Sequence, residues 1–519
     1  METLTAVLAI LVAIAVLYAL AGRVGVPYPT LFVLGGLGLA FVPGLPHIRL
    51  EPDLVLLVFL PPLLFIAAID TPIRELRANI VPITRLALGL VLFTVVVVAI
   101  VAQALVPSMG WAAAVTLGAI VAPTDALAAT SVFRRLRAPR IVTTLVEGEA
   151  LFNDATALII YRTGVVIVAG GSFVFLATAG QVAVALVAGI AIGVVVGWLG
   201  AQLLSRLDEP TVEVLISFVI PFAAFLPADR LGVSGVLAAV TAGLVIGSRY
   251  GRILTARSRV LWLGAWKMVG FVLNGFVFLL IGLELPAVIE SLHGRAPFEL
   301  AGVVAVVCLL VVATRFLWVY LSSQLPNSPY RRLRGQNLRL ANWSRFIVSW
   351  AGLRGAVSLA AALALPRDFP ERDLIVLITF AVIMVTLVGQ GATLPWLVRR
   401  ATLGTNELDG DEPTRAREVA YQAGLTELDR QREVWPDHKP LLDRLESGLR
   451  DRTQHLATSD PDETAFRDQE RIEHEKIQLA VIAAERAALI ELRDARQIND
   501  ETLRLIEREL DLEELRMEG

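Results

Sequence analysis

The chain has 519 residues, of which 55% are hydrophobic and only 18% are charged, and its single cysteine excludes an internal disulfide framework. So few charges in a chain of this length exclude an ordinary soluble globular protein. Residues 401–519 carry 30 of the 49 acids and 17 of the 46 bases, so their net charge is −13, whereas residues 1–400 have a net charge of +10. This break predicts a membrane domain over residues 1–400 and a soluble helical tail over residues 401–519.

Apolar runs that could cross a bilayer as helices fill the first 400 residues. Their predicted cores are 4–21, 30–45, 54–70, 83–106, 110–132, 141–168, 179–204, 211–226, 231–248, 263–288, 299–323, 344–365 and 373–397. The first run lacks a basic leading region and a small-residue cleavage site, so we expect a retained span, with a cleaved signal peptide as the alternative. The pattern predicts an all-α polytopic membrane protein with about 13 transmembrane helices.

The arginines indicate how these spans are oriented. Loops that follow odd-numbered spans contain 18 arginines, and the opposite loops contain five. Because cytoplasmic loops are enriched in Lys and Arg, this bias predicts an amino terminus outside the cell and a tail in the cytoplasm. We therefore expect a multi-pass protein of the cell (inner) membrane.

The fifth predicted span contains a proline and an acid near its midpoint, Pro123 and Asp125. Proline removes a backbone donor and clashes with the preceding turn, which frees carbonyl groups. In a membrane such a break is tolerated only where it lines a cavity or packs on protein. The sequence therefore predicts an interrupted helix here.

The sixth predicted span places Asp154 at its centre, at a depth similar to that of Asp125. At 100° per residue, Glu147, Ala150 and Asp154 share one helix face, whereas Glu149 and Asn153 share another. One face can therefore serve an ion and the other a structural pair.

The eleventh predicted span carries Arg315, at a depth that matches Glu149. A buried charge needs a partner, so we predict an ion pair between Glu149 and Arg315, with Asn153 hydrogen-bonded to it. The alternative is that Arg315 extends alone to the cytoplasmic interface.

The twelfth predicted span has an arginine between two glycines, Gly352, Arg354 and Gly355. Glycine disfavours a continuous helix, so the centre of this span should be unwound. Spans five and twelve cross in opposite senses, and two such breaks are typical of inverted-repeat transporters, which build ion sites from half-helix ends. Arg354 would then offset the negative half-helix ends. Ordinary tight packing remains the alternative explanation for these glycines and the proline.

Over roughly residues 5 to 400 the chain resembles the sodium/proton exchangers of the monovalent cation:proton antiporter family 1. Five motifs carry the resemblance, in the right order: Phe59-Leu-Pro61-Pro62-Leu-Leu-Phe65, Pro123-Thr124-Asp125, Gly148-Glu149-Ala-Leu-Phe-Asn153-Asp154, Arg315 and Gly352-Leu-Arg354-Gly355.

The resemblance implies a homodimer whose protomers contain two crossed, discontinuous helices. It also implies that Asp154 binds the transported cation and the proton in competition, with Asp125 as a second cation ligand and the Thr124 backbone nearby. The Asn153-Asp154 pair goes with electroneutral exchange in that family. Many relatives have Ser where this chain has Ala150, so one hydroxyl ligand is absent and water or a backbone carbonyl would replace it.

We therefore expect a secondary active transporter that exchanges Na⁺, or K⁺ or Li⁺, for H⁺ by alternating access. A passive monovalent cation channel is the main alternative, and an intramembrane hydrolase that uses Asp125 and Asp154 is a second. The tail shows helical periodicity over residues 413–456 and 464–517, typical of solvated helical hairpins. With no glycine-rich phosphate loop or metal cluster in the pattern, we expect no cofactor, and we expect no nucleic-acid partner.

Overall fold

The computed structural model describes residues 2–24, 27–41, 55–136, 138–171, 175–290, 297–326, 329, 338–402 and 411–454, with 481–485, 487–489, 491–492, 495, 506 and 510. Over these residues the regular structure is entirely helical, with no β-strand, as the sequence predicts. The chain divides into two compact units, Met1–Gly404 and Thr405–Gly519.

The first half of the larger unit is a series of apolar helices joined by short turns. They are α1 (Glu2–Val24), α2 (Tyr28–Ala40), α3 (Leu60–Asp70), α4 (Ile73–Ala78), α5 (Ile80–Thr84), α6 (Val91–Leu105), α7 (Gly110–Val121), α8 (Leu127–Arg135) and α9 (Arg140–Val168). π-helical turns at Val55–Phe59 and Arg85–Leu90 lead into α3 and α6. Helix α6 ends before Pro107, because proline disfavours helical backbone at the residue that precedes it.

The second half of this unit continues the pattern with longer helices. They are α10 (Phe175–Leu204), α11 (Pro210–Arg230), α12 (Gly235–Gly247), α13 (Tyr250–Ile253), α14 (Ala256–Glu290), α15 (Pro297–Ser322), α16 (Leu338–Trp350), α17 (Ala356–Leu363), α18 (Arg372–Met384) and α19 (Gly391–Thr402). A π-helical turn at Val385–Gln390 joins the last two into one rod. Helix α12 begins at a capped turn, since the Ser234 hydroxyl accepts the Leu237 N–H at 3.2 Å.

Many of these helices have the length and composition of membrane spans. Seven are long and apolar enough to cross a bilayer: Ile80–Leu105, Arg140–Val168, Gly180–Leu204, Pro210–Arg230, Arg257–Glu284, Phe298–Ser322 and Arg372–Ala401. Five shorter apolar helices accompany them. A described helix overlaps each of the predicted cores. That all 13 of them cross the membrane stays a prediction.

Helix α9 lies at the centre of the larger unit, where it packs against α7, α8, α12, α16 and α17. Its side chains Leu145, Leu151 and Ala155 are buried in the main apolar cluster. Helix α10 instead leaves Val184 and Val187 more than 60% exposed. A broad apolar surface of this kind is suited to contact with lipid.

Two of the predicted spans are interrupted near their centres. Non-helical backbone at residues 122–126 separates α7 from α8, and residues 351–355 separate α16 from α17. These are the fifth and twelfth predicted spans, and the interruptions coincide with Pro123 and with the Gly352 to Gly355 segment. Both lie beside α9, so they determine the surroundings of its acidic residues.

The smaller unit contains a helical hairpin formed by α20 (Asp411–Val434) and α21 (Lys439–Gln454), which pack against each other. Arg432, near the end of α20, donates to Asp443 at 2.7 Å and also pairs with Glu446. The second predicted helical stretch, 464–517, lies largely outside the described residues.

Candidate functional site

Asp125 fixes the interruption between α7 and α8. Its backbone N–H donates to the carbonyl oxygen of Leu353, in the other interruption, at 2.8 Å. Its carboxylate oxygen Oδ1 accepts the N–H of Leu127 at 2.8 Å, which satisfies one of the free donors in the first turn of α8. Asp125 therefore starts one half-helix and ties the two interruptions together.

Arg354 fills the interruption between α16 and α17 and is only 1% exposed. Its Nε donates to the carbonyl oxygen of Val121 at 2.8 Å, and one terminal nitrogen donates to that of Gly352 at 3.2 Å. Val121 is the last residue of α7, so the guanidinium lies at the partially negative end of that half-helix. The backbone N–H of Arg354 donates to the Thr386 hydroxyl at 3.1 Å, which anchors the segment to the π-helical turn after α18.

Two glycines allow this close approach. A Cβ at position 355 would lie 2.7 Å from the Cβ and 2.8 Å from the Cγ of Asp125. A Cβ at position 352 would lie 2.7 Å from Nε of Arg315. Because real side chains do not pack so closely, only glycine fits at Gly352 and Gly355 without displacement of a charged neighbour.

Glu149 and Arg315 form a buried ion pair between α9 and α15. The two terminal nitrogens of Arg315 donate to the two carboxylate oxygens of Glu149 at 2.5 and 2.9 Å, the bidentate arrangement favoured by these groups. Nε of Arg315 also donates to the carbonyl oxygen of Val348, at the end of α16, at 3.0 Å. Both side chains are at most 2% exposed, so each charge depends on its partner for neutralisation.

Thr124 links this pair to Asn153. The Thr124 hydroxyl donates to Glu149 at 2.9 Å, and Nδ2 of Asn153 donates to that hydroxyl at 2.8 Å and to the Thr124 carbonyl oxygen at 3.2 Å. The predicted contact of Asn153 with the ion pair is thus made through a threonine. The Thr124 carbonyl, expected near the cation, is already engaged by Asn153.

Asp154 projects from the other face of α9 into a cavity of about 410 Å³, which Asp125, Ala150 and Thr124 also line. It is 7% exposed, and no described residue donates a hydrogen bond to its carboxylate or forms an ion pair with it. The cavity is therefore the place where this carboxylate can meet a small cation or a proton. Glu149, five residues earlier, points about 140° away around the helix, which separates the two acids.

One end of the cavity is lined by charged groups that contact each other. Arg134, at the end of α8, lies 3.2 Å from a carboxylate oxygen of Glu147 and 3.9 Å from one of Asp70. Arg134 and Asp70 are about half exposed, so water reaches this end. The cavity thus runs from a charged, hydrated end to the two inner carboxylates.

Sequence reasoning missed several polar side chains that line this cavity, among them Tyr28, Lys267 and Asn274. For Lys267 a signal was present, because a cation within an apolar helix calls for a functional explanation. Tyr28 and Asn274 carry no such signal, since a neutral polar residue is common in membrane helices. Arg162, whose role the sequence leaves undefined, pairs with Asp229 at 2.5 Å between α9 and α11.

The features above define a multi-pass helical membrane protein with a buried carboxylate site between two interrupted helices. Comparison with known families agrees, because the family model described as "Sodium/hydrogen exchanger, transmembrane" matches residues 7–400. The chain therefore belongs to the sodium/hydrogen exchanger family, which makes it an ion-transporting antiport protein of the membrane.

Individual relatives extend this similarity over nearly the whole chain. An uncharacterized Na⁺/H⁺ exchanger of Mycobacterium tuberculosis is 34% identical over 99% of this chain and 96% of its own length. The low-affinity Na⁺/H⁺ antiporter NhaS1 of Synechocystis is 33% identical over 80% of this chain and 77% of its own. The solved structure of the sodium proton antiporter MjNhaP1 from Methanocaldococcus jannaschii matches with a TM-score of 0.57 and 18% identity, over 78% of this chain and 99% of that one. That last likeness concerns the fold.

Proposed function

We propose that this protein exchanges one monovalent cation, Na⁺ or also K⁺ or Li⁺, for one proton by alternating access, and that Asp154 binds the two in competition. The observation that carries the proposal is the position of Asp154, which opens onto a cavity while the described residues offer its carboxylate no ion pair. A carboxylate locked in a salt bridge could bind neither ion.

Competition for one carboxylate is sufficient to couple the two fluxes. An ionised and empty Asp154 is costly to move past a hydrophobic barrier, whereas either a bound cation or a bound proton neutralises it. Only loaded carriers then change orientation, so a cation that leaves by one side requires a proton to return. Asp125 adds a second carboxylate to the cavity and completes the candidate cation site.

The surrounding charges support an exchange without net charge movement. Arg315 neutralises Glu149, and Arg354 is directed at carbonyl oxygens of the two interruptions. The residue before Asp154 is the neutral Asn153. These two positions therefore contribute one titratable acid instead of two. One cation in one direction and one proton in the other leave the membrane potential unchanged.

The predicted topology gives the cavity a direction. Arg134, at the end of α8, belongs to a segment that the arginine bias assigns to the cytoplasm, so the hydrated end of the cavity faces that side in this conformation. Alternating access then requires a second conformation in which Asp154 reaches the outside. Movement of inverted repeats about the crossed interruptions would provide it, within a homodimer embedded in the cell membrane.

Proton flux in reconstituted vesicles tests the proposal. An imposed Na⁺ gradient should drive proton movement in the wild-type protein at the same rate whether or not a K⁺ gradient with valinomycin clamps the potential. Asp154→Asn should reduce exchange to the level of empty vesicles, with an unchanged melting temperature in detergent. Cation flux that needs no counter-ion would favour the channel, and retained exchange in Asp154→Asn would contradict the assigned site.

A further inference from the structure

The Ser358 hydroxyl differs from the other serine and threonine hydroxyls that line the cavity. Thr130 and Ser131 also line the cavity, but each donates to a carbonyl oxygen of its own helix, at 3.2 and 2.8 Å. Ser358 is 2% exposed, and the described residues provide no hydrogen-bond partner for it. A hydroxyl that lines the cavity without a partner is free to bind an occupant of that cavity.

The position of Ser358 in the fold brings it to the two carboxylates. It is the third residue of α17, and the residue before α17 is Gly355, which abuts the Asp125 side chain. Helix α17 packs against both α7 and α9. Ser358, Asp125 and Asp154 therefore line one cavity.

Two other oxygens near the site already accept hydrogen bonds. The Thr124 carbonyl accepts from Asn153, and one oxygen of Asp125 accepts the N–H of Leu127. A hard cation stripped of water needs several oxygen ligands to replace its hydration shell. The Asp154 carboxylate supplies two of them, and a free hydroxyl on the facing helix is suited to supply another.

We propose that the Ser358 hydroxyl is a direct ligand of the transported cation and helps to set its affinity. This inference rests on the function proposed above and adds a residue from α17 to the site. Because a proton on Asp154 needs no such ligand, Ser358 acts on cation binding and leaves proton binding largely unchanged.

The test compares Ser358→Ala with Ser131→Ala, which removes a hydroxyl from the same cavity that is bonded within its own helix. We expect the Na⁺ concentration for half-maximal exchange to rise about tenfold in Ser358→Ala, as for the loss of one polar contact, with the maximal rate retained. Ser131→Ala and Ser358→Thr should stay within about twofold of the wild type. Ala150→Ser, one turn before Asp154, should restore part of the affinity when added to Ser358→Ala.

A second measurement does not depend on transport. Na⁺ should raise the melting temperature of the detergent-solubilised protein, and Ser358→Ala should need about tenfold more Na⁺ for the same rise. An equal Na⁺ dependence in wild type and Ser358→Ala would overturn the inference, even if the variant were inactive in vesicles. Absence of Na⁺-driven proton exchange in the wild type would instead refute the proposed function, so the two failures are distinguishable.

Discussion

At the scale of single residues, Glu149 and Asp154 of α9 differ in the partners that surround them. Glu149 is neutralised by Arg315 and held by Thr124, whereas Asp154 faces the cavity. The same residue type therefore serves as a structural element on one face of a helix and as a candidate ion ligand on another. Environment decides the role, since a buried charge is stable only with a partner, a proton or a bound ion.

Removal of Arg315 should act on stability more than on ion affinity. Arg315→Met leaves the Glu149 charge buried and unpaired, and we expect a loss of roughly 3 to 5 kcal/mol in unfolding free energy. Arg315→Met combined with Glu149→Gln should recover most of the loss, because no charge is then stranded. Thermal unfolding in detergent measures both variants.

Arg162→Met provides the matched control for this prediction. Its pair with Asp229 is about half exposed, so its removal should cost less than about 1 kcal/mol. Equal losses of unfolding free energy at positions 162 and 315 would show that burial of the Glu149–Arg315 pair has no effect on the cost of breaking it.

At the scale of helices, the two interruptions are held to each other by backbone and side-chain bonds. The backbone N–H of Asp125 donates to the carbonyl oxygen of Leu353, and Nε of Arg354 donates to the carbonyl oxygen of Val121. The carboxyl-terminal end of α7 is thereby bonded by the opposite interruption. Gly355 is where the two segments come closest.

Gly355→Ala should therefore disrupt the candidate site. The new methyl group would lie under 3 Å from three atoms of Asp125, so either that carboxylate or the α17 end must move. We expect most exchange activity to be lost while the protein still inserts and melts cooperatively. Gly302→Ala is the control, since a Cβ there meets no atom within 4 Å, and it should keep wild-type exchange. Equal activity in the two variants would contradict the packing argument.

The locations of the interruptions could be predicted from sequence, whereas their mutual contacts could not. Pro123 restricts the local backbone and the glycines around Arg354 disfavour a continuous helix, so both interruptions can be recognised in the sequence. The position of Thr124 between Glu149 and Asn153 depends on side-chain directions across two helices, which helical spacing alone leaves open. Lys267 in the cavity was accessible to the argument used for Arg315 and was overlooked.

The hairpin of the smaller unit should respond to acid. Hydrogen bonding from Arg432 lowers the pKa of Glu446 below its ordinary value of 4.5. Because the pKa is lower in the folded state, the pair stabilises the hairpin above pH 4.5 and this stabilisation is lost as the pH falls through the folded-state pKa. Amide hydrogen exchange in the full-length protein, corrected for the intrinsic rate, should show steady protection of α20 and α21 from about pH 7 to 5 and falling protection below pH 4.5.

Arg432→Leu should reduce that protection at neutral pH and flatten its pH dependence. Arg444→Leu is the matched control, because the hydrogen bond that Arg444 donates among the described residues goes to a carbonyl within its own helix. An unchanged pH profile in Arg432→Leu would show that other groups control the hairpin.

At the scale of the whole molecule, the bilayer explains why the class of fold could be read from composition. Backbone polar groups have no water partners in lipid, so apolar runs of this length must be helical. The number of crossings is less constrained, since seven of the described helices meet the full criteria of length and apolarity and five more are shorter. Helices that pack within the protein and helices that cross lipid differ little in their sequences, so the distinction needs a direct measurement.

The unequal distribution of arginines between the two sets of loops predicts a topology that can be measured directly. Arginine is costly to translocate, so the 18 arginines of one set of loops should remain in the cytoplasm and the other set should face outward. The single cysteine, Cys308, can be replaced by Ala, and one cysteine then introduced at an exposed position of each set, Arg135→Cys or Arg230→Cys. A membrane-impermeant maleimide should label Arg230→Cys in intact cells and Arg135→Cys only after permeabilisation, with both labelled in detergent. The opposite pattern would invert the topology and direct the hydrated end of the Asp154 cavity to the outside, and equal labelling in intact cells would remove the assumed sidedness altogether.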